Sequence, residues 1–304
     1  MIGRYSFDMK LDNILVATDF SSVSKAALFY STAVARHHRS KLFVVHVSSS
    51  QSKRTTMDAW RTLQAEMMDH FLADRLTGVQ QELLVKSGDV RTELAHLVGA
   101  CGIDLVVLGS RGRTSVWRSL LRSSVAESVR QQVPCPVLTV GPNVVGEGSD
   151  SWPQRILVPT GFAPQSLYAI TYASWLAKQM CSSMALLHVV TDPTGAHDEE
   201  RLRSERLQRL RATVSAGQQA RVHPEFLIEF GSVSEKVLEA ASRWRADLVV
   251  LGVHSVEREA PDSETTMAKA SEIVRRAFCP VLTTRLLHEN VNCVVETDNG
   301  AASA

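Results

Sequence analysis

Aromatic residues are scarce, at 6% of 304 positions, and there are only five cysteines: Cys101, Cys135, Cys181, Cys279 and Cys293. Odd in number, far apart and without a Cys-x-x-Cys pair, they exclude a disulfide framework and a paired-cysteine zinc site. They point instead to a reducing compartment. Neither sign of charge is in excess, since 33 Lys and Arg face 32 Asp and Glu for a net of +1. A surface that neutralises nucleic-acid phosphates carries surplus positive charge, so nucleic acid is not an expected partner. No run approaches the ~18–20 apolar residues of a membrane span, and residues 1–10 lack the apolar core of a secretory leader. The expected location is therefore the cytoplasm, with no membrane partner. Also absent are a Gly-x-x-x-x-Gly-Lys-Ser/Thr phosphate loop and a Gly-x-Ser-x-Gly elbow. No catalytic constellation is expected.

What the chain does contain is itself, twice. Asn13-Ile14-Leu15-Val16-Ala17-Thr18-Asp19-Phe20 returns as Arg155-Ile156-Leu157-Val158-Pro159-Thr160-Gly161-Phe162. His46-Val47 returns as His188-Val189 at an offset of 142, and Asp104-Leu105-Val106-Val107-Leu108-Gly109 as Asp247-Leu248-Val249-Val250-Leu251-Gly252 at 143. Cys135-Pro136-Val137-Leu138-Thr139 returns as Cys279-Pro280-Val281-Leu282-Thr283 at 144. Four landmarks in one order at nearly one spacing mean two whole domains, because a period this long is no solenoid. We place repeat 1 at 10–142, repeat 2 at 152–286 and a loose tail at 287–304. Gly141-Pro142-Asn143 and Gly146-Glu147-Gly148-Ser149-Asp150 supply a turn-rich linker.

Within repeat 1, short β-branched runs at 14–17, 42–47, 82–86, 105–108 and 137–140 alternate with helical patterns. Ala26, Ala27, Tyr30, Ala33, Val34 and His37 recur at helical spacing behind a Ser21-Ser22 cap. Trp60, Leu63, Met67 and Phe71 form one stripe of a helix over 57–76, and further helices are expected over 92–100 and 124–132. This βαβαβαβαβ order, with near-continuous apolar strands, implies a doubly wound parallel α/β sheet covered on both faces. The closing strand 137–139 is the natural partner of 281–283.

Ligands of open α/β sheets sit beyond the carboxyl ends of the strands, where the strand order reverses. If strands 1 and 4 flank that point, Asp19 and Gly109 share a crevice. The loop Gly109-Ser110-Arg111-Gly112-Arg113-Thr114 then offers backbone N–H groups, and Arg111, Arg113 and Arg122 offer guanidinium forks to an anion. Asp19 could accept from a ribose or a base.

Together, the opening Ile-Leu-Val-Ala-Thr-Asp-Phe-Ser, His46-Val47, Leu-Gly-Ser-Arg-Gly-Arg-Thr and Ser-Val-Ala-Glu…Pro-Cys-Pro-Val-Leu-Thr-Val resemble the universal stress protein family over nearly all of both repeats. The resemblance implies two tandem five-stranded sheets of order 3-2-1-4-5, of the adenine-nucleotide-hydrolase type. It also implies ATP, with Mg²⁺, as the candidate ligand. Family members that bind ATP use a strand-1 Asp, a strand-2 Val and Gly-x-x-Gly, nine residues, then Gly-Ser/Thr. Here those positions fall on Asp19, Val47, Gly109 and Gly112, with Ala17, Arg111, Arg122, Ser123, Ser124 and Val125 completing the candidate site. The third glycine is missing. A strict count puts Arg122 there, whereas a one-residue insertion puts Ser123 there; the second register is preferred because Glu127 then stands at the family's distance from Pro134-Cys135-Pro136. Any ATP hydrolysis would be weak and incidental. The alternative is a nucleotide-independent interaction scaffold. In repeat 2, Gly161 replaces the Asp, the second glycine is lost, and Glu257, Glu259, Asp262 and Glu264 crowd the loop. Nucleotide binding is not expected there, and repeat 2 is expected to pack on repeat 1 as an internal pseudo-dimer. A further homodimer and an unidentified protein partner are open expectations.

Other features read as structural. His46 and His188 suit a buried hydrogen bond, His37-His38 a solvated helix end, and Cys135 and Cys279 small hydrophobes. Trp60, Trp175 and Trp244 suit packing, Trp117 is the exception because it sits in the nucleotide loop itself, and Glu199-Glu200-Arg201-Leu202-Arg203-Ser204-Glu205-Arg206 suits a solvated helix face.

Overall fold

The computed structural model describes residues 9–48, 53–67, 76–110, 133, 135–144, 152–191, 199–215, 219, 222–253 and 262–286. Repeat 1 contributes β1 (Asn13–Ala17), α1 (Ser22–His38), β2 (Lys41–Ser48), α2 (Lys53–Met67), β3 (Gln81–Ser87), α3 (Val90–Ala100), β4 (Leu105–Gly109) and β5 (Val137–Val140). Repeat 2 contributes β6 (Arg155–Pro159), α4 (Pro164–Met180), β7 (Ser183–Val190), α5 (Glu199–Arg211), β8 (Glu225–Phe230), α6 (Val233–Arg243), β9 (Leu248–Val253), α7 (Asp262–Arg276) and β10 (Val281–Arg285). The helix expected over 124–132, the Phe71 end of the 57–76 helix and the tail lie outside the described residues.

The ten strands form one sheet in the order β3-β2-β1-β4-β5-β10-β9-β6-β7-β8. Each half reads 3-2-1-4-5, parallel throughout, as the alternation of strands and helices requires. The halves meet at β5 and β10, the only antiparallel pair among the described strands, with Val281 opposite Thr139, Leu282 opposite Leu138 and Thr283 opposite Val137. The two five-stranded sheets are thus continuous. Ile14, Leu15 and Val16 of β1 and Ile156, Leu157 and Val158 of β6 are fully buried, as strands covered on both faces must be. The two apolar clusters, one on each face of the sheet, both draw residues from both repeats.

Local chemistry sets the element ends. Ser21 caps α1 by accepting the Ser24 N–H at 3.2 Å, and Arg39 closes the helix in the left-handed region. In α4 a proline in the first turn replaces the side-chain cap, and Cys181 closes it as Arg39 closes α1. In α2, Leu63 is fully buried on the expected stripe.

The sequence landmarks have structural causes. Asp104 accepts from the Asp12 and Asn13 N–H groups, and Asp247 from those of Gln154 and Arg155, so each carboxylate holds the strand that opens its repeat. Ser40 likewise donates to the Leu11 carbonyl, and Ser182 to that of Pro153. Burial pushes the Cys135 and Cys279 thiols up to about 12, which suits inert packing groups.

The seam between repeats corrects one expectation. His37-His38 is not simply a solvated helix end. His37 is exposed, but its Nε2 lies 3.0 Å from the Gln179 carbonyl of α4. The His38 ring stacks on Trp175 at 5.8 Å, and its Nε2 is buried without a partner among the described residues. Burial, with repulsion from His37, pushes the His38 pKa down to about 4. Tyr30 meets Trp152 edge-on at 4.9 Å across the same seam. The linker's first residues dock as well: Asn143 donates to the Arg275 and Arg276 carbonyls at the end of α7. A β-carbon on Gly141 would stand 2.5 Å from the Val274 carbonyl oxygen, so only glycine allows that approach.

Candidate functional site

The strand order reverses between β1 and β4, which pair from Ile14–Leu105 to Ala17–Leu108. Their carboxyl ends place Ala17, Thr18 and Asp19 beside Gly109 and Ser110, and this is where an open α/β sheet takes its ligand. Val47 lies near the end of the neighbouring strand β2, partly buried against the cluster under the sheet.

The β1–α1 turn is built by short polar side chains. Thr18 is buried, its Oγ1 accepts the Phe20 N–H at 3.1 Å, and it meets Ser24 Oγ at 3.1 Å. The Asp19 carboxylate accepts the Ser21 N–H at 3.2 Å, an Asx turn that leads into the helix cap. Phe20 turns the chain with φ 63° and stacks on His46 at 4.4 Å. Since the Thr18 carbonyl can only accept, His46 Nδ1, 2.9 Å away, carries the proton and donates. The histidine is a strut for the turn that presents Asp19, as its position suggested. The Phe20–His46 stack itself escaped the sequence reading, although Phe162 repeats with His188 and could have revealed it.

Gly109 has two readings, and geometry supplies the second. A β-carbon there would stand 2.9 Å from the Ser24 nitrogen and 3.0 Å from the Val23 carbonyl carbon. One at Gly252 would stand 2.1 Å from the Gln165 carbonyl oxygen. In both repeats the first turn of a helix lies against the end of the fourth strand, and glycine is what lets it do so. Next to Gly109, Ser110 donates its N–H to the Val140 carbonyl at 2.9 Å. Its Oγ is buried without a partner among the described residues. A buried hydroxyl lacking a partner calls for one, and Ser110 is a candidate contact not included in the expected set.

Ala17, Asp19, Val47 and Gly109 are thus gathered at one pole. Arg111, Gly112, Arg122, Ser123, Ser124 and Val125, with Arg113 and Trp117, lie outside the described residues. No group of His, Cys, Asp and Glu side chains suited to a metal ion occurs among the described residues. No helix described is long and apolar enough to cross a membrane.

In repeat 2 the same turn recurs without the carboxylate. Thr160 Oγ1 accepts the Phe162 N–H at 3.1 Å, Phe162 has φ 65°, and its ring lies 4.3 Å from that of His188. His188 Nδ1 donates to the Thr160 carbonyl at 2.8 Å. A β-carbon on Gly161 would meet nothing within 4 Å, so packing does not demand glycine there. The α5 face is exposed as expected at Arg201 and Arg203, and Arg206 is half-buried. Arg209 lies 4.3 Å over the Phe162 ring and Arg203 5.0 Å over Phe230, while Arg203 donates to the Ile228 carbonyl at 2.7 Å. The flat, weakly hydrated guanidinium can lie over a ring while the side chain stays exposed. Burial, with repulsion from Arg206 and Arg209, holds the His188 imidazole below the ordinary histidine range.

A reversal-point crevice in each half of a duplicated 3-2-1-4-5 sheet defines a tandem α/β protein, and comparison supplies the family. The family model of the universal stress protein family matches residues 10–141 and 153–285. The chain belongs to the universal stress protein family, in tandem. The Universal stress protein in QAH/OAS sulfhydrylase 3'region of Thermus aquaticus is 31% identical over 140 residues, which are 42% of this chain and 96% of that protein. Universal stress protein YxiE of Bacillus subtilis is 26% identical over 149 residues, 42% of this chain and 98% of the relative. Each such relative corresponds in length to about one repeat. Among solved structures, a universal stress protein from Archaeoglobus fulgidus superposes with TM-score 0.61 at 19% identity, covering 91% of this chain and 99% of its own. One from Pseudomonas aeruginosa gives 0.58 at 17%, covering 90% and 93%. At these identities the likeness is one of fold.

Proposed function

We propose that the protein is a cytoplasmic stress-response regulator that binds ATP, with Mg²⁺, in the crevice of repeat 1, while repeat 2 serves as its packed counterpart. The observation that carries this reading is Asp19, held by its Asx turn beside Gly109 and Ser110 at the point where the strand order reverses. The carboxylate suits a ribose or base donor, and Ser110 Oγ has no partner among the described residues, so a ligand could supply one. The residues described fit an adenosine group. Bound nucleotide would change the surface at the carboxyl ends of β1 and β4, where a protein partner would read it. Among the described residues nothing at this pole is a placed general base, and in this reading hydrolysis is incidental to the role.

The test is thermal unfolding with and without millimolar ATP–Mg²⁺. A ligand that binds only the folded chain raises the midpoint by mass action, and Asp19→Ala and Gly112→Val should each abolish the rise. Extraction of co-purified small molecules should recover adenine nucleotide from the parent and not from the variants. A flat response favours the second reading, a scaffold that works without nucleotide. One observation speaks for that reading: Gly109 is required by the approach of α1, as Gly252 is by α4, so this glycine alone does not argue for a phosphate.

A further inference from the structure

The two ligand poles differ just after the first strand of each repeat. Repeat 1 presents Asp19, whereas repeat 2 has Gly161 in its place and open space where a side chain would stand. Beside that space, α5 sets Arg206 and Arg209 one turn apart, which puts like charges on one helix face. Arg209 lies 4.3 Å over the ring of Phe162, which in turn lies 4.3 Å from His188. Arg206 Nε is buried without a hydrogen-bond acceptor among the described residues. The acidic side chains of α5 do not supply one. Glu205 faces Arg201 at 3.8 Å, and Glu199 and Glu200 are exposed in the first turn. Among the described residues neither Arg206 nor Arg209 has an ion pair. A buried guanidinium N–H without an acceptor is costly, and the exposed fork of Arg209 one turn further along adds a second guanidinium for the oxygens of a tetrahedral anion.

We propose that this pole of repeat 2 is a binding site for a phosphate group, free or on a small phosphomonoester, held by Arg206 and Arg209 beside the space left by Gly161. His188 and Phe162 form its floor. The site is independent of nucleotide binding in repeat 1. Its positive charge comes from the helix after the second strand of the repeat and not from the loop after the fourth.

His188 reports on the site, because an anion held by the arginines offsets their repulsion of its charged form. The experiment follows the histidine ring protons of the full chain, carrying Asp19→Ala to silence repeat 1, by NMR. Inorganic phosphate or glycerol 3-phosphate is titrated against chloride at matched ionic strength. We expect a saturable shift of the His188 signals and a rise in its pKa. Arg206→Gln/Arg209→Gln should weaken binding at least about tenfold, as loss of charge-assisted hydrogen bonds does. Gly161→Asp should do so too, by putting a carboxylate into the space, while Arg201→Gln should change nothing. Arg209→Lys, which keeps charge but loses the fork, should lie between, and it guards against a double variant that fails to fold. Tighter binding of the ester than of free phosphate would assign an organic ligand, and the reverse a free ion. Shifts that do not saturate, or that persist undiminished in a folded double variant, would overturn the proposal.

Discussion

A β-carbon added at Gly252 would stand 2.1 Å from a carbonyl oxygen, one at Gly109 2.9 Å from a backbone nitrogen, and one at Gly161 more than 4 Å from everything. Backbone cannot yield as a flexible side chain can, so the first two substitutions force helix and strand apart. We expect Gly109→Ala to cost about 1–3 kcal/mol, Gly252→Ala to cost at least as much, and Gly161→Ala to be nearly neutral. Urea denaturation of the three variants checks the order; full stability of Gly109→Ala would refute the packing account. The residue scale is also where sequence misleads. Gly109 is equally visible as a ligand-loop glycine and as a packing glycine, and only the position of Ser24 separates the two. Gly161, by contrast, could be read at once as a lost carboxylate, and the open space around it agrees.

The ends and faces of elements decide what the sequence could convey. The Ser21 cap, the helix that follows it and the apolar core strands were legible, because periodicity and capping act within a few residues. The ring contacts of the α5 arginines were not. Their alternation with glutamates reads correctly as a solvated face, but the aromatic rings that Arg203 and Arg209 lie over belong to β8 and to the turn after β6, far away in the chain. His38 escaped for the same reason: its stacking partner Trp175 lies on α4 of the other repeat. Of the candidate site, Asp19 and Gly109 could be brought together from strand order alone, but the orphan hydroxyl of Ser110 depends on packing. The α1–α4 contact makes a pH prediction. The folded His38 pKa is lowered to about 4 from the ordinary 6.5, so the unfolded chain binds the extra proton first as the solution is acidified. Stability is whole above about pH 6.5 and falls between there and about pH 4, by about 1–2 kcal/mol once solvent screening of this half-buried ring is counted. His38→Phe, which keeps a ring against Trp175, should flatten that part of the curve. Thermal midpoints from pH 4 to 7.5 read the effect, and an unchanged slope in the variant would count against it.

At the scale of the whole molecule, the halves are joined by more than a linker. The sheet runs unbroken through β5 and β10, and each apolar cluster includes side chains of both repeats. We therefore expect one cooperative unfolding transition for both halves, with calorimetric and van't Hoff enthalpies in agreement. Two resolved transitions would mean that the junction couples them weakly. A pair of identical subunits related by a two-fold axis must show every substitution on both sides. Joining the copies in one chain lifts that rule: one half can keep an acid at Asp19 while the other discards it at Gly161 and gathers arginines nearby. Two chemically unlike mouths then open from one continuous sheet.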